Sequence, residues 1–321
     1  MDYTQPLHAD SLLYFWGIGD LHFRDQKRWQ ELHTPRMQCT FDDLKSVWQE
    51  EGKPAFCVSP GDLVEAGTVS NYALVKRELA AYLDDIPFYP GIGNHEYHPE
   101  DPSDALHTRE EFAAAWNMPP RYAWIAGRSD EIVCIMLDYP DAFLPGTRQE
   151  EYHVVYSQDT LNFLAATLEE HRERIAVIFA HCPLHATVLD RDPERNLDYD
   201  SLETFFFAEN SSEIRAILAR HHNGALFFSG HTHSGWGAPQ LVFTERLGGY
   251  PVTHINLSSP WYTGRRTGAR WNEDHTQLNY IPDSPDLQVT FSIDISTENA
   301  IIRARSHRER RWLARWEVPL R

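Results

Sequence analysis

The heptapeptide Pro-Gly-Ile-Gly-Asn-His-Glu at residues 90–96 decides how the rest of this 321-residue chain is interpreted. It follows the apolar run 86–89 and contains two glycines, a pattern that predicts a buried strand ending in a tight loop. In α/β sheets, loops at the carboxyl ends of strands are where ligands bind. This loop offers an amide oxygen at Asn94 and an imidazole at His95. Taken alone, the stretch is more typical of an ordinary Gly-Asn turn with a surface histidine, so its meaning depends on the other strand ends.

Four other apolar runs end in residues that can bind a metal ion. The runs 12–19, 55–58, 175–180 and 225–228 lead to Asp20-x-His22, Gly61-Asp62, His181 and Gly230-His231-x-His233, respectively. Because side chains two residues apart on an extended strand share a face, Asp20 and His22 are expected to point the same way. Each motif is weak alone, but with Asn94 they bring seven ligand-type side chains to one sheet edge. Seven are too many for one ion and suit two.

The composition limits which binding partners and which cellular compartment are expected. With a formal net charge of -18, the surface repels polyanions and disfavours nucleic acid, whereas a local cluster of cations can still receive a small phosphorylated substrate. The four cysteines have no CxxC spacing, so we predict neither a disulfide framework nor a cysteine-bound zinc ion. No apolar run has the length of a membrane span or the basic flank of a signal peptide, which favours a cytoplasmic protein.

The order of elements predicts an α/β fold. Strands alternate with helices up to residue 90, as is typical of parallel strands joined by right-handed crossovers. The first helix is predicted to begin at the N-cap Thr40, after a polar loop at 24–38, and the second after the cap Ser70. A strand pair at 122–125 and 132–137 precedes a helix capped by Ser157. After Gly235 only strands are predicted, at 241–243, 252–257, 287–295 and 300–305.

We predict a single domain spanning residues 1–321, with a core at about 11–305 and a basic tail at 306–321. The tail and the strand before it interleave arginines with Trp312 and Trp316. Such a pattern can contact nucleic acid, or it can pack against the acidic surface of the same chain or of a second subunit in a homo-oligomer. The net charge favours packing.

Together these motifs resemble the calcineurin-like metallophosphoesterase superfamily, from about Asp20 to His233. The resemblance implies a four-layer αββα sandwich, in which helices flank two mixed β-sheets and a dinuclear metal site lies at the strand ends. It implies that one ion is held by Asp20, His22, Asp62 and His233. The other would be held by Asp62, Asn94, His181 and His231, so that Asp62 bridges the two. His95 would stay uncoordinated and stabilise the transition state or protonate the leaving oxygen.

The second motif departs from that of the phosphoprotein phosphatases in this superfamily. Their Gly-Asp-x-Val-Asp-Arg-Gly corresponds here to Gly-Asp-Leu-Val-Glu-Ala-Gly at residues 61–67. Ala66 replaces the arginine that binds phosphate in that branch, which argues against a Ser/Thr protein phosphatase. Glu65 takes the place of the aspartate that orients the catalytic histidine there, so it either pairs with His95 or is a solvated loop carboxylate.

Further candidates for substrate contact follow the strand ends. Arg24 and Arg28 either contact phosphate oxygens in a bidentate manner or are only solvated. His185 either faces the cleft or is an exposed loop histidine, and Tyr97 and His98 are candidates to line the pocket. The pocket itself is expected to be shaped by the polar segments 98–108, 190–200 and 264–286.

These residues predict a dinuclear-metal phosphoesterase that uses Mn, Fe or Zn, since oxygen and imidazole ligands suit those metals. A metal-bound hydroxide would attack phosphorus in line while His95 assists the leaving group. The missing phosphatase arginine and the acidic chain favour a small phosphodiester or nucleotide-type substrate, and a phosphomonoester is the alternative within the class.

Two hypotheses other than a phosphoesterase for small substrates remain. A non-catalytic metal-binding scaffold is disfavoured because all seven ligand positions and His95 are filled. A nuclease would need a basic groove, which only the arginines of residues 303–315 could supply.

Overall fold

A computed structural model of the chain describes residues 10–97, 109–139, 154–192, 197–198, 200–236, 238–261, 269–271, 278–280 and 288–321. Of the segments expected to shape the pocket, 98–108 lies outside the described residues, with His98, and so do 193–196, 199 and most of 264–286. Across the described ranges, no helix combines the length and the apolar character needed to cross a bilayer.

As the sequence predicts, strands alternate with helices up to residue 90; the elements at 109–116, 191–192, 197–198, 269–271, 278–280 and 311–319 were not predicted. The strands are β1 (Leu13–Gly17), β2 (Cys57–Ser59), β3 (Phe88–Pro90), β4 (Tyr122–Ala126), β5 (Ile132–Met136), β6 (Ile175–Phe179), β7 (Arg191–Asp192), β8 (Leu197–Asp198), β9 (Gly224–Ser229), β10 (Val242–Leu247), β11 (Tyr250–Asn256), β12 (Ala269–Trp271), β13 (Leu278–Tyr280), β14 (Val289–Ile295), β15 (Asn299–Ser306) and β16 (Arg311–Pro319). The helices are α1 (Lys27–Glu51), α2 (Val69–Leu83), α3 (Arg109–Trp116), α4 (Gln158–Glu170) and α5 (Ser211–His221). Short 3₁₀ turns lie at His95–Tyr97 and Thr204–Phe206.

Two six-stranded sheets form the centre of the molecule. The first has the order β16-β15-β14-β1-β2-β3, in which β1, β2 and β3 are parallel and the other pairs antiparallel. The second has the order β10-β11-β9-β6-β5-β4, in which β11, β9, β6 and β5 are parallel. Both sheets are therefore mixed, as predicted. The pairs β7–β8 and β12–β13 are separate two-stranded ribbons.

The sheets pack face to face on an aromatic core. Phe15 of β1 stacks on Phe56 and meets the rings of Phe179 and Phe228, which come from the second sheet. Helices cover the outer faces: the Trp16 ring of β1 lies 6.2 Å from the Trp48 ring of α1, and α4 packs beside α5. The predicted four-layer αββα sandwich is confirmed.

The first helix begins much earlier than the sequence predicts. Residues 27–51 form one helix with Pro35 inside it, so Thr40 is a buried residue in the middle of α1 and not its N-cap. The proline and the many polar residues suggested a loop, but Trp29, His33 and Met37 continue the buried face at helical spacing. The cap of α2 is also shifted: Thr68, and not Ser70, accepts the Asn71 N–H.

The basic tail is not separate from the core. Residues 311–319 form β16, the edge strand of the first sheet. A register shift between Ala304 and Arg305 places Trp312 on the side of α1, where its ring contacts Trp16 and lies under the guanidinium of Arg303. The bulge interrupts the two-residue alternation that would have revealed a strand.

Candidate metal centre

The side chains predicted to bind metal lie at one end of both sheets. Parallel strands β1, β2 and β3 of the first sheet and β6 and β9 of the second each end two to four residues before the first predicted ligand that follows them. All seven of these side chains are almost completely buried: Asp20, His22, Asp62, Asn94, His181, His231 and His233. The carboxyl ends of parallel strands thus deliver the ligand-type groups to one place between the sheets.

Four of these residues form a first cluster. One ligand atom each from Asp20, His22, Asp62 and His233 lies within 4.8 Å of every other. The Nε2 atoms of His22 and His233 are 3.0 Å apart, and His22 Nε2 is 3.8 Å from Asp62 Oδ2. This is the set that the family resemblance assigns to one ion.

A second cluster shares Asp62 with the first. Ligand atoms of Asp62, His181 and His231 lie within 4.8 Å of one another. His181 Nε2 is 3.2 Å from Asp62 Oδ2 and 3.1 Å from Asn94 Oδ1, which brings the amide oxygen into the same group. A carboxylate common to two clusters is the arrangement expected of a bridging ligand.

The backbone at these positions adopts a conformation that L residues rarely take. His22, Asp62, His231 and His233 all have positive φ, between 47° and 68°. Non-glycine residues in the left-handed region are strained, and such strain is concentrated at functional sites. Neighbouring glycines make room, since a Cβ on Gly93 would lie 2.2 Å from Asp62 Oδ1. The sequence motifs did not reveal this strain.

The donor atoms fit metal ions. Among the described residues, Asp20 Oδ2 and His181 Nδ1 are buried without a hydrogen-bond partner, as expected of atoms that bind an ion. Ligand histidines usually donate their other ring nitrogen to an acceptor. His22 Nδ1 donates to Glu65 Oε2 at 2.8 Å, and His231 Nε2 donates to the Phe205 carbonyl at 2.9 Å. Each ring therefore keeps one nitrogen for an ion.

The charges at the centre also suit cation binding. Burial opposes ionisation of Asp62, but His181 and His95 outweigh it and hold the pKa of Asp62 well below its usual range. Burial lowers the pKa of His231 to about 3, helped by His181. Metal ligands must be deprotonated, so a charged Asp62 and a neutral His231 are in the required state.

His95 differs from the seven in being accessible. Its side chain is 19% exposed, and its ring meets the His22 ring edge-on at 4.6 Å. Its Nδ1 donates to the carbonyl oxygen of Glu65 at 2.8 Å, while the Glu65 carboxylate lies farther away, at 3.7 Å. The predicted pairing of Glu65 with His95 is therefore made mainly through the backbone, and the carboxylate holds His22.

Glu96 is a functional residue that sequence reasoning missed. Its buried carboxylate accepts the backbone N–H groups of Asp62, Leu63, Val64 and Gly93. It thereby joins the loop after β2 to the loop after β3, and it fixes Asp62 between them. Its position next to His95 in the opening heptapeptide was the signal available.

A second missed feature is the support of the Asp20–His22 backbone. Three buried side chains donate to three successive carbonyl oxygens: Ser259 Oγ to Asp20 at 2.7 Å, His33 Nε2 to Leu21 at 2.7 Å and Trp29 Nε1 to His22 at 3.0 Å. Two of the three donors belong to α1, the helix whose start was predicted too late. That error hid their role.

The weaker candidates lie nearby with less definite contacts. The Arg24 guanidinium is 5.5 Å from the Trp29 ring. Burial raises the pKa of Glu65, but His95 and His22 outweigh burial and lower it, with a smaller contribution from Arg24. Arg28 is exposed. His185 is exposed, and its ring packs edge-on against Phe207 at 4.7 Å. Tyr97 is buried, and its hydroxyl accepts from Arg109 Nε.

Comparison with known proteins identifies a family. The sequence profile of the calcineurin-like phosphoesterases matches residues 13–235, well over half of the chain. This span contains all seven ligand-type residues, His95 and Glu65. No curated protein matches the chain.

Solved structures share the fold. A dimetal phosphatase from Danio rerio is similar with a TM-score of 0.64 at 15% identity, covering 97% of this chain and 100% of the other. GAP50, the anchor in the inner membrane complex of Plasmodium, has a TM-score of 0.55 at 13% identity, covering 97% and 90%. At these identities the likeness concerns the fold alone.

Proposed function

This chain belongs to the calcineurin-like phosphoesterase family of metal-dependent hydrolases, and from that premise we propose that it hydrolyses a small phosphodiester or nucleotide-type substrate at a two-metal centre. One observation carries the proposal: two clusters of buried ligand atoms share the carboxylate of Asp62. The donors are oxygens and imidazoles, which favour Mn, Fe or Zn.

The residues around the centre have separate tasks. When bound, two such ions polarise a phosphoryl group and make water acidic enough to act as a nucleophile near neutral pH. Asp62, held by the Glu96 loop, fixes the spacing of the two clusters. Burial of the seven ligands excludes bulk water behind the substrate, so that interactions between charges in the site are strong.

His95 is suited to donate a proton to the leaving oxygen. Because its Nδ1–H is bound to the Glu65 carbonyl, Nε2 is the atom left for proton exchange. Burial lowers the pKa of His95, but the carboxylates of Asp62 and Glu65 outweigh burial and raise it to about 9. Nε2 is thus the atom placed to give a proton to the leaving oxygen, and the two carboxylates favour the protonated ring that a general acid needs.

We prefer a diester substrate because the second motif lacks a phosphate-binding arginine and because the chain is acidic. Ala66 stands where protein phosphatases of the superfamily have their phosphate-binding arginine. A dianionic monoester gains most from such a residue, whereas a monoanionic diester depends on it less. The net charge of -18 works against long polyanions and leaves small substrates.

The fold alone does not separate catalysis from a scaffold role, since one similar structure is an anchor and another a phosphatase. The site residues make the difference. A scaffold has no need of ligand residues in the strained left-handed conformation. It also needs neither a histidine ring nitrogen bound to Glu65 nor an accessible His95.

The test is a comparison of bis-p-nitrophenyl phosphate and p-nitrophenyl phosphate as substrates of metal-stripped protein to which Mn²⁺ is returned. We expect metal-dependent turnover with the higher kcat/KM on the diester. A higher kcat/KM on the monoester would replace the diester proposal with a phosphomonoesterase. Two bound ions and turnover of neither ester would favour the scaffold.

A further inference from the structure

The loops that follow β1 and β2 lie side by side and are joined by backbone hydrogen bonds. Phe23 N–H donates to the Leu63 carbonyl at 2.9 Å, and Glu65 N–H donates to the Phe23 carbonyl at 3.0 Å. These two bonds form a parallel bridge between Phe23 and Val64. The loops thus continue the parallel pairing of β1 with β2 beyond the ends of the strands.

The side chain of Asn71 ends this ladder. In a regular parallel ladder the next N–H of the first segment, that of Asp25, would donate to the Glu65 carbonyl. It donates instead to Asn71 Oδ1, at 2.6 Å. Asn71 Nδ2 donates to the Ala66 carbonyl at 2.8 Å, so that one amide group binds both loops.

The Glu65 carbonyl is bound by the general-acid candidate. His95 Nδ1 donates to it at 2.8 Å. This bond sets the tautomer and the orientation of the ring, and with them the position of Nε2. A backbone N–H in the ladder position would point at the same carbonyl oxygen and compete with the imidazole for it. Because Asn71 holds the Asp25 N–H, the carbonyl is left to His95.

The position of Asn71 is itself fixed. The residue is 0% exposed, and its backbone N–H donates to Thr68 Oγ1, the N-cap of α2, at 3.2 Å. The orientation of its amide is also determined, since exchanging oxygen and nitrogen would set donor against donor at Asp25 and acceptor against acceptor at Ala66. A carboxylate or an apolar side chain of the same shape would leave at least one of these backbone groups unpaired.

We propose that Asn71 is a positioning residue: by binding the Asp25 N–H it reserves the Glu65 carbonyl for His95 and so orients the proton donor. The inference rests on the proposed function and adds a residue that acts through Glu65, from α2, without being a metal ligand. Its loss should therefore slow proton transfer to the leaving oxygen while the ions remain bound.

The test compares thymidine 5′-(p-nitrophenyl phosphate) with thymidine 5′-(phenyl phosphate) as substrates of the Mn²⁺-loaded protein. The two diesters differ only in the leaving group, and phenolate, the more basic one, depends more on a proton donor. In Asn71→Ala we expect kcat for the phenyl ester to fall about tenfold more than kcat for the nitrophenyl ester, with bound Mn²⁺ unchanged. Asn71→Asp keeps an acceptor for the Asp25 N–H, so its effect on this ratio should be smaller.

Asn223→Ala is the matched control. The amide of Asn223 also binds two backbone groups, the carbonyls of Leu168 and His171, but it lies just before β9, at the end of the sheet opposite to the ligands. This variant should keep the wild-type ratio of the two kcat values. A general loosening of the fold would slow both esters alike, so an unchanged ratio in Asn71→Ala would overturn the inference.

A crystal structure of Mn²⁺-loaded Asn71→Ala gives a readout that needs no hydrolysis. We expect the Asp25 N–H to donate to the Glu65 carbonyl and His95 Nδ1 to be displaced from it. A bond from Nδ1 to this carbonyl that persists in the variant would overturn the inference. A wild-type protein that hydrolyses neither ester would refute the proposed function, whereas the variant structure would still decide what Asn71 does, so the two failures are distinguishable.

Discussion

At the scale of single residues, Asp62 is constrained by several contacts at once. It belongs to both ligand clusters, its φ is 52°, its Oδ1 accepts the His95 N–H, and its own N–H donates to Glu96. Such a conformation costs about 1–3 kcal/mol and persists only where surrounding contacts impose it. The contacts here aim the carboxylate at both groups of histidines.

Asp62→Asn should remove the bridge while keeping the shape of the side chain. We expect bound Mn²⁺ to fall from two ions per chain to one or none and turnover of bis-p-nitrophenyl phosphate to be lost, as measured by elemental analysis and initial rates. Asp84→Asn is the matched control, since Asp84 also has a positive φ, 56°, and is exposed. Two tightly bound ions in Asp62→Asn would contradict the bridging role.

His95→Gln should separate catalysis from metal binding. We expect kcat to fall by about 10²–10⁴ with the metal content unchanged, since a general acid typically contributes that factor. Because the protonated ring is the active form, the wild-type rate should decline as the pH rises through the pKa of His95, and this alkaline decline should be absent from the variant. His171→Gln, outside the site, should retain wild-type kinetics; a wild-type rate in His95→Gln would exclude the role.

The identity of the ligand residues was predictable from the sequence, but their geometry was not. Apolar runs followed by Asp, Asn or His locate strand ends, and parallel strands bring their ends together. Nothing local shows that His22 or Asp62 adopts a left-handed backbone, because that strain is imposed by distant contacts. The Glu65 carboxylate was expected to pair with His95; it lies 3.7 Å from His95 Nδ1 and closer to His22 Nδ1, at 2.8 Å, a second contact that the sequence did not reveal.

At the scale of elements, α1 supports the metal site. The helix provides Trp29 and His33, which bind the carbonyls of His22 and Leu21. Its start could not be predicted because Pro35 and polar residues resemble a loop, and only packing against the sheet shows that the buried face continues. The site therefore depends on a helix that carries none of the seven ligands.

Trp29→Phe should test that dependence. The change keeps an aromatic ring and removes the N–H donated to the His22 carbonyl, a bond that contributes about 1 kcal/mol. We expect Mn²⁺ affinity to weaken by about fivefold, a factor that corresponds to this energy. Trp124→Phe is the control, because Trp124 stacks on Tyr89 within the sheets. Equal affinity in wild type and Trp29→Phe would show that α1 does not position the ligands.

At the scale of the whole molecule, ion pairs attach the last strands to α1. Arg303, 1% exposed, binds both oxygens of Glu51, and Arg305 and His307 bind the buried Asp43. These two arginines of β15 thus pair with acidic residues of the same chain, the packing alternative that net charge favoured. Buried pairs of this kind are costly to break, because one charge would remain without its partner.

The Asp43 pairs should make stability depend on pH in the acid range. Burial raises the pKa of Asp43, but bonds from Arg305 and His307 outweigh it and lower the pKa to about 2. A depressed folded-state pKa stabilises the fold above the unfolded-state value of 3.8, and this contribution is lost as the pH falls towards 2.

Denaturant unfolding of metal-stripped protein should reveal this contribution. Asp43→Asn should be less stable than wild type at pH 6, and the difference should shrink below about pH 4 as the wild-type carboxylate is protonated. Asp42→Asn, a neighbouring exposed change, should leave stability nearly unchanged. A difference between Asp43→Asn and wild type that stays constant from pH 6 to pH 3 would refute the ionic role.

The most direct test of a two-metal phosphoesterase is a titration of metal-stripped protein with Mn²⁺ in which bound metal and hydrolysis of bis-p-nitrophenyl phosphate are followed together. We expect two ions per chain, with the rate rising as the second ion binds, because the two ligand clusters meet at Asp62. Full activity with no ion or one ion bound, or two bound ions without hydrolysis of either p-nitrophenyl ester, would contradict this account.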